Sequence, residues 1–208
     1  MITVVLATHN QHKVAELRRI LNGLPVTLVS GRDLDLPDVE ETGETFADNA
    51  LLKARASAEA TGLPAIADDS GLVVDALAGD PGIRSARYAG RHGDDQANLR
   101  LVLERLGSSS QRTARFVCVA ALALPGGHQV TETGTMEGVI THEPRGQNGF
   151  GYDPIFVAAG QRRTNAELTP QRKDAISHRG AAFRALRPHL AALAHSAGRD
   201  EAGVSHRA

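Results

Sequence analysis

Four short polar segments of this 208-residue chain hold the residues able to bind or act on a charged ligand. The first, Thr8-His-Asn-Gln-His-Lys13, lies between an apolar run and an amphipathic stretch. A helix that starts at a strand's end offers unpaired backbone N–H groups and a positive dipole end. With the charge of Lys13, the segment Thr8, His9, Asn10, Gln11, His12, Lys13 suits phosphate. It matches neither a Walker A loop nor a GxGxxG fingerprint, and it also reads as a capped helix start with solvated polar residues. The second set is acidic: Glu40-Glu41, and Asp68-Asp69-Ser70-Gly71 at the end of an apolar run. Adjacent carboxylates there are costly unless a cation neutralises them. Mg²⁺ takes oxygen ligands and bridges carboxylates to phosphates. Glu40-Glu41 alone also reads as a solvated loop; solubility explains the Asp68-Asp69 cluster poorly.

The third segment is Gly149-Phe-Gly-Tyr-Asp153. Glycines such as Gly149 and Gly151 let a backbone approach a ligand closely. Phe150 or Tyr152 could stack on a planar base, or fold into the core from a tight turn. The fourth is Lys173…Ser177-His178-Arg179-Gly180, on or after the last helix, with Lys173 and Ser177 four apart on one face. Such a basic set can hold phosphate or donate to a base carbonyl, or simply solvate a helix face. Phosphate donors, metal carboxylates, a stacking aromatic and a cationic clamp together describe a nucleoside triphosphate.

The elements that must position these groups alternate. Ile2–Ala7 reads as a buried strand, and Val14, Leu17, Ile20 and Leu21 mark a helix ending at Asn22-Gly23. A strand follows near Val26–Val29, then a loop over residues 30–43. Thr45 and Asp48 have capping-box spacing for a helix that stops near Gly62. Ala65–Ala67 is expected as a short strand running into Asp68, with Leu72–Val74 extended beyond it. Residues 78–93 read as a long functional or mobile loop. Leu99, Val102, Leu103 and Leu106 mark a helix, and Phe116–Leu124 and Gln129–Ile140 form a hairpin about Pro125-Gly-Gly127. Thr141–Tyr152 is loop, Pro154–Val157 a short strand, and Thr169 with Pro170 starts a last helix. This is an α/β pattern. One domain is expected over 1–194, with a disordered tail over 195–208.

Composition narrows the class. Lys and Arg number 23 against 24 Asp and Glu, which argues against a general binder of nucleic acid or membrane surfaces. Apolar residues are 41% and aromatics 3%, so the core must be Ala, Leu, Val and Ile. The single Cys118 sits in an apolar run and reads as buried filler, not as a catalytic thiol. No charged start leads into a signal-type segment, and no apolar run approaches the roughly 20 residues of a membrane span. A soluble, cytoplasmic protein is expected.

With these motifs in order, the chain resembles the Ham1-like non-canonical purine nucleoside triphosphate pyrophosphatases over roughly residues 2–192. The resemblance rests on Leu6–Lys13, Glu41–Phe46, Asp48–Lys53, Ala67–Gly71, Gly82–Arg87, Gly149–Pro154 and Ile176–Gly180. It implies an elongated two-lobed α/β fold, with a long mixed sheet flanked by helices and a nucleotide cleft between the lobes. It also implies a cytoplasmic homodimer that hydrolyses ITP, dITP and XTP at the α–β bond with Mg²⁺. By position, Thr8, Asn10, Lys13 and Lys53 would hold phosphates. Glu41, or Glu40 beside it, and Asp69 would hold the metal, with Asp69 also the general base. Ser70, Phe150, Gly151, Tyr152, Asp153, Lys173, His178 and Arg179 would bind the nucleotide. His9 stands where many relatives carry a small residue, and Asp48 where Glu is common. A pyrophosphatase for other nucleotides, a nucleotide sensor without turnover and an RNA-binding protein are the competing readings; the intact carboxylates, neutral charge and scarce aromatics disfavour the last two.

Overall fold

The computed structural model describes the backbone of residues 2–204 and the side chains of residues 2–196. In chain order the elements are β1 (Ile2–Leu6), α1 (Gln11–Ile20), β2 (Val26–Ser30), α2 (Phe46–Thr61), β3 (Ala65–Val74) and α3 (Asp95–Leu106). The hairpin β4 (Thr113–Ala123) and β5 (Gln129–Ile140) follows, then β6 (Phe156–Ala158), α4 (Pro170–Ile176) and α5 (His178–Val204). Six strands form one mixed sheet in the order β2-β1-β3-β4-β5-β6, with β1 parallel to β2 and β3 and the rest antiparallel. The α/β architecture expected from the alternation is therefore present.

Local chemistry explains most boundaries. Thr45 accepts from the Asp48 amide and Asp48 accepts from the Thr45 amide, each at 3.1 Å, so both halves of the capping box are made. Gly62, at φ 66°, ends α2 in the left-handed region. The hairpin turns through Gly126 and Gly127, both at positive φ. Gly134 in β5 lets α5 come close, because a Cβ there would lie 2.2 Å from the His178 carbonyl oxygen.

Apolar side chains collect in three clusters. One packs β1 and β4 against α1 and α5, one packs Val5, Ala65 and Ala67 against α2, and one lies between α3, Phe116, Met136 and Phe156. Cys118 is fully buried in the first, and burial pushes its thiol up, as a filler role requires. No helix among the described residues is long and apolar enough to cross a membrane.

Several expectations need correction. β3 is one unbroken strand paired with β4 over Ala65–Val74, so Asp68 and Asp69 lie in mid-strand and not at its end. The last helix is two helices: Ser177 is extended (φ −70°, ψ 152°), ends α4, and accepts the Gly180 amide at 2.9 Å to start α5. Lys173 and Ser177 therefore share no continuous helix face. Pro154 and Ile155 form a 3-10 turn, and the strand begins only at Phe156. The long loop contains 3-10 turns at Asp75–Leu77 and Gly82–Arg87. The backbone of α5 runs on to Val204, while the side chains of residues 197–208, within the segment expected as a tail, lie outside the described residues.

Candidate active site

The junction of β1 and α1 forms one wall of a cleft of about 850 Å³. Asn10 caps α1, its side chain accepting from the amides of His12 (2.9 Å) and Lys13 (3.2 Å), while the Asn10 amide donates to Thr8 Oγ1. This cap decides which side chains face inward. Gln11 and His12, first and second in the helix, are exposed and lie off the cleft wall, His12 stacking on Phe150 with centroids 5.3 Å apart. Lys13, one residue on, turns inward and places Nζ 3.0 Å from Asp68 Oδ2. Thr8, His9 and Asn10 line the cleft, and His9 Nδ1 meets Asp38 Oδ1 at 2.6 Å.

Neighbouring positions in β3 face opposite sides of the sheet, and this separates the two aspartates. Asp68 is fully buried on the α1/α5 side, where Lys13 and Arg179 hold its carboxyl well below the usual range against the opposing effect of burial. Its Oδ2 also accepts from Ser70 Oγ at 3.1 Å. Asp69 faces α2. Asn49 Nδ2 donates to its Oδ2 at 3.1 Å, and Lys53 Nζ stands 3.7 Å from its Oδ1. Burial raises the Asp69 carboxyl above the ordinary range, with the charge of Glu41 adding to it, although Lys53 opposes both.

Glu41 reaches the same lysine, Oε1 lying 2.6 Å from Lys53 Nζ, and its other oxygen accepts from Arg87 at 3.2 Å. Glu40 also lines the cleft but is exposed and makes none of these contacts. Among the described residues, no three His, Cys, Asp or Glu gather into a metal-holding group. Two carboxylates converging on one cation, at the edge of an open cleft, do fit Mg²⁺, which uses one or two protein carboxylates and completes its octahedron with phosphates and water. Asp68 does not fit that role, because its side chain is fully buried and does not line the cleft.

The opposite end of the cleft is built by the turn 149–153 and the α4/α5 break. Asp153 closes the turn on itself: Oδ2 accepts from the Phe150 amide at 2.9 Å and from Lys173 Nζ, and a Cβ on Gly149 would lie 2.1 Å from that oxygen. Asp95, at the start of α3, accepts from the Gly151 amide at 2.8 Å. Tyr152 is buried with its hydroxyl donating to the Ser85 carbonyl, so it belongs to the core. Phe150 is the more exposed aromatic of this turn, with Lys173 Nζ 4.9 Å and Arg179 Cζ 5.5 Å from its ring.

The break at Ser177 aims the first residues of α5 inward. Arg179, 2% exposed, donates to Glu16 (2.6 Å), to Asp68 (3.1 and 3.2 Å) and to Ser70 Oγ (2.7 Å). A cation in the first turn of a helix opposes the dipole, and these acids offset that cost. Lys173 Nζ bonds Glu16 at 2.8 Å as well as Asp153. Of the five N–H groups of Arg179 and the three of Lys173, these contacts leave one each. His178 stacks on Phe116 (4.7 Å, 8°), and its Nδ1 is buried with no hydrogen-bond partner. Burial, reinforced by Arg179 and Lys173, lowers its pKa well below 6.5 and keeps it neutral.

Of the candidate segments, Gln11, His12, Asp68, Gly149, Ser177 and Gly180 lie off the cleft, and the other expected binding, metal and catalytic residues line it together. Sequence reasoning missed Glu16, Asn49, Arg87 and Asp95. Glu16 was visible as a charge between Val14 and Leu17 on the apolar face of α1, and Asn49 as the residue one turn before Lys53. Arg87 lay in a segment of the family resemblance without a role assigned to it, and Asp95 carried no such signal. Donors suited to phosphate, paired carboxylates beside a lysine, and cations around an aromatic ring share one continuous cleft, large enough for a nucleotide.

The Ham1 family model matches residues 4–189. A dITP/XTP pyrophosphatase from Streptomyces coelicolor is 59% identical over 194 residues, covering 90% of this chain and 96% of that protein. Among solved structures, a HAM1 protein from Coxiella burnetii aligns at TM-score 0.84 with 47% identity, covering 91% of this chain and 98% of the other. A nucleoside-triphosphatase / dITP/XTP pyrophosphatase from Mycobacterium abscessus aligns at TM-score 0.72 with 52% identity, over 90% and 100%.

Proposed function

The chain belongs to the Ham1 family, and we propose that it hydrolyses the purine triphosphates ITP, dITP and XTP to the nucleoside monophosphate and pyrophosphate, clearing them from the nucleotide pool. The observation that carries this reading is the cleft itself, with acid–lysine chemistry at one end and the donors Lys173 and Arg179 beside Phe150 at the other.

Thr8, Asn10, Lys13 and Lys53 bind the triphosphate in this reading. Lys13 and Lys53 both line the cleft, and Lys53 is held protonated by Asp69 and Glu41 against the burial that would lower it. Glu41 and Asp69 are the residues that would hold Mg²⁺. When bound, such an ion neutralises phosphate oxygens and supports the departing pyrophosphate. Asp69, oriented by Asn49 and with a pKa raised by burial, is the group suited to orient a water and take its proton. Base catalysis of this kind contributes about 10²–10⁴-fold.

The base lies against Phe150 in this account. The uncommitted N–H groups of Lys173 and Arg179, flanking neutral His178, donate to a purine O6. Lysine and arginine have no acceptor, so the 6-amino group of adenine would leave them unpaired, a mismatch costing several orders of magnitude. A homodimer, the cytoplasm and a single catalytic unit over residues 1–194 belong to the same reading. Product analysis after ITP turnover tests the bond cleaved: IMP with pyrophosphate supports the proposal, and IDP with orthophosphate contradicts it.

A further inference from the structure

We propose that Asn165 is a positioning residue of the base pocket: it clamps one oxygen of the Asp153 carboxylate, and so fixes the other, on which Phe150 and Lys173 are set. The inference rests on the purine reading above. Asn165 opens a short 3-10 turn, Asn165–Glu167, outside every segment that drew attention in the sequence, and it is fully buried.

Its Nδ2 donates to Asp153 Oδ1 at 3.2 Å, the one hydrogen bond to that oxygen among the described residues. Asp153 Oδ2 carries the load on the other side, accepting from the Phe150 amide and from Lys173 Nζ. A carboxylate only accepts, so the Asn165 amide must present its NH₂ to Asp153. Its own carbonyl oxygen is then buried with no partner. An unpaired buried acceptor costs stability that an apolar residue would spare. A side chain kept at such a cost points to geometry as its role. Without the clamp the carboxylate is free to turn about its terminal torsion, which is soft. Lys173 would then drift toward Glu16, its other acid, and the Phe150 amide would lose its acceptor. Both changes fall on the pocket for the base, and neither touches Asp69 or Glu41.

The charged groups around Asp153 are Lys173 from α4 and, through it, Glu16 from α1. Glu167, on the same turn as Asn165, is engaged instead by the Thr164 amide and Arg145. A carboxyl group at position 165 would therefore interact chiefly with Asp153.

The test compares Asn165→Ala and Asn165→Asp with the unaltered chain, measuring KM and kcat for ITP from pH 5 to 8 and the thermal midpoint of each protein. Asn165→Ala is expected to raise KM about ten-fold while kcat stays within about three-fold, at every pH. Asn165→Asp keeps the shape: ionised, it repels Asp153, but protonated, it donates as the amide does. Its KM should exceed that of the alanine variant at the alkaline end of the range and return toward the unaltered value at the acid end, where a like-charge neighbour helps it hold a proton. Unchanged KM in both variants overturns the proposal. So does a lowered thermal midpoint with unchanged KM, or an aspartate variant that follows the alanine variant at all pH values. Failure of the unaltered chain to release pyrophosphate from ITP would sink the purine reading and this inference together, and is distinct from an active enzyme with indifferent variants.

Discussion

Replacing Arg179 with methionine should cost both stability and selectivity, and the structure sets the scale of each. The guanidinium is 2% exposed and stands between two buried acids, Glu16 at 2.6 Å and Asp68 at 3.1 Å. Removing one partner of a buried ion pair typically costs about 3–5 kcal/mol, because the other charge is left uncompensated. Here Lys173 still reaches Glu16 and Lys13 still reaches Asp68, each within 3.0 Å, so the lower end applies. A loss of about 3 kcal/mol in a chain of this size lowers the melting temperature by roughly 6–12 °C. Calorimetry on Arg179→Met reads that shift directly. Adding Glu16→Gln should return part of it, because contacting residues couple by about 0.5–3 kcal/mol. The same variant should release pyrophosphate from dATP at a rate closer to that from dITP. A melting temperature within about 2 °C of the unaltered protein, with unchanged selectivity, would refute the view of Arg179 as the charge that organises this end of the cleft.

Asp69→Asn should lower kcat about 10²–10⁴-fold while nucleotide binding, read by equilibrium dialysis, persists; turnover near the unaltered rate removes Asp69 as the base. Acid should destabilise the fold in two steps. His178 is kept neutral by burial, Arg179 and Lys173, and Glu16 is held below its ordinary value by Arg179 and Lys173 despite its burial. Both pKa values are lower folded than unfolded, so unfolding takes up protons and stability is lost as pH falls. The melting temperature should begin to drop below about pH 6.5, as His178 gains a proton on unfolding, and fall faster below about pH 4.5 as Glu16 does. A midpoint constant from pH 7 to pH 4 contradicts the buried neutral histidine.

Much of this was legible in local sequence because it depends on local chemistry. The capping box at Thr45, the Gly126-Gly127 hairpin and the apolar face of α1 each follow from a few adjacent residues. What was not legible depends on pairing over long distances. Asp68-Asp69 looked like a strand end because two charges rarely sit inside a sheet; β4 and the cations of α1, α2 and α5 make that possible. The break at Ser177 was hidden because Gly180, four residues after Ile176, allows a new helix to start at a register no propensity marks. A Cβ there would lie 2.0 Å from the Asp174 carbonyl oxygen. Arg87 and Asp95 gain meaning only when the loop around 82–95 folds over the cleft, and Asn165 only once Asp153 is beside it.

The most direct test of the central claim, that donors at Lys173 and Arg179 read a purine O6 above a metal-assisted hydrolytic site, is pyrophosphate release from ITP, dITP, XTP, dATP and dTTP, with Mg²⁺ and with excess EDTA. The account predicts strong release from the first three, little from dATP and dTTP, and none once the metal is chelated. Comparable release from dATP and dITP would contradict it.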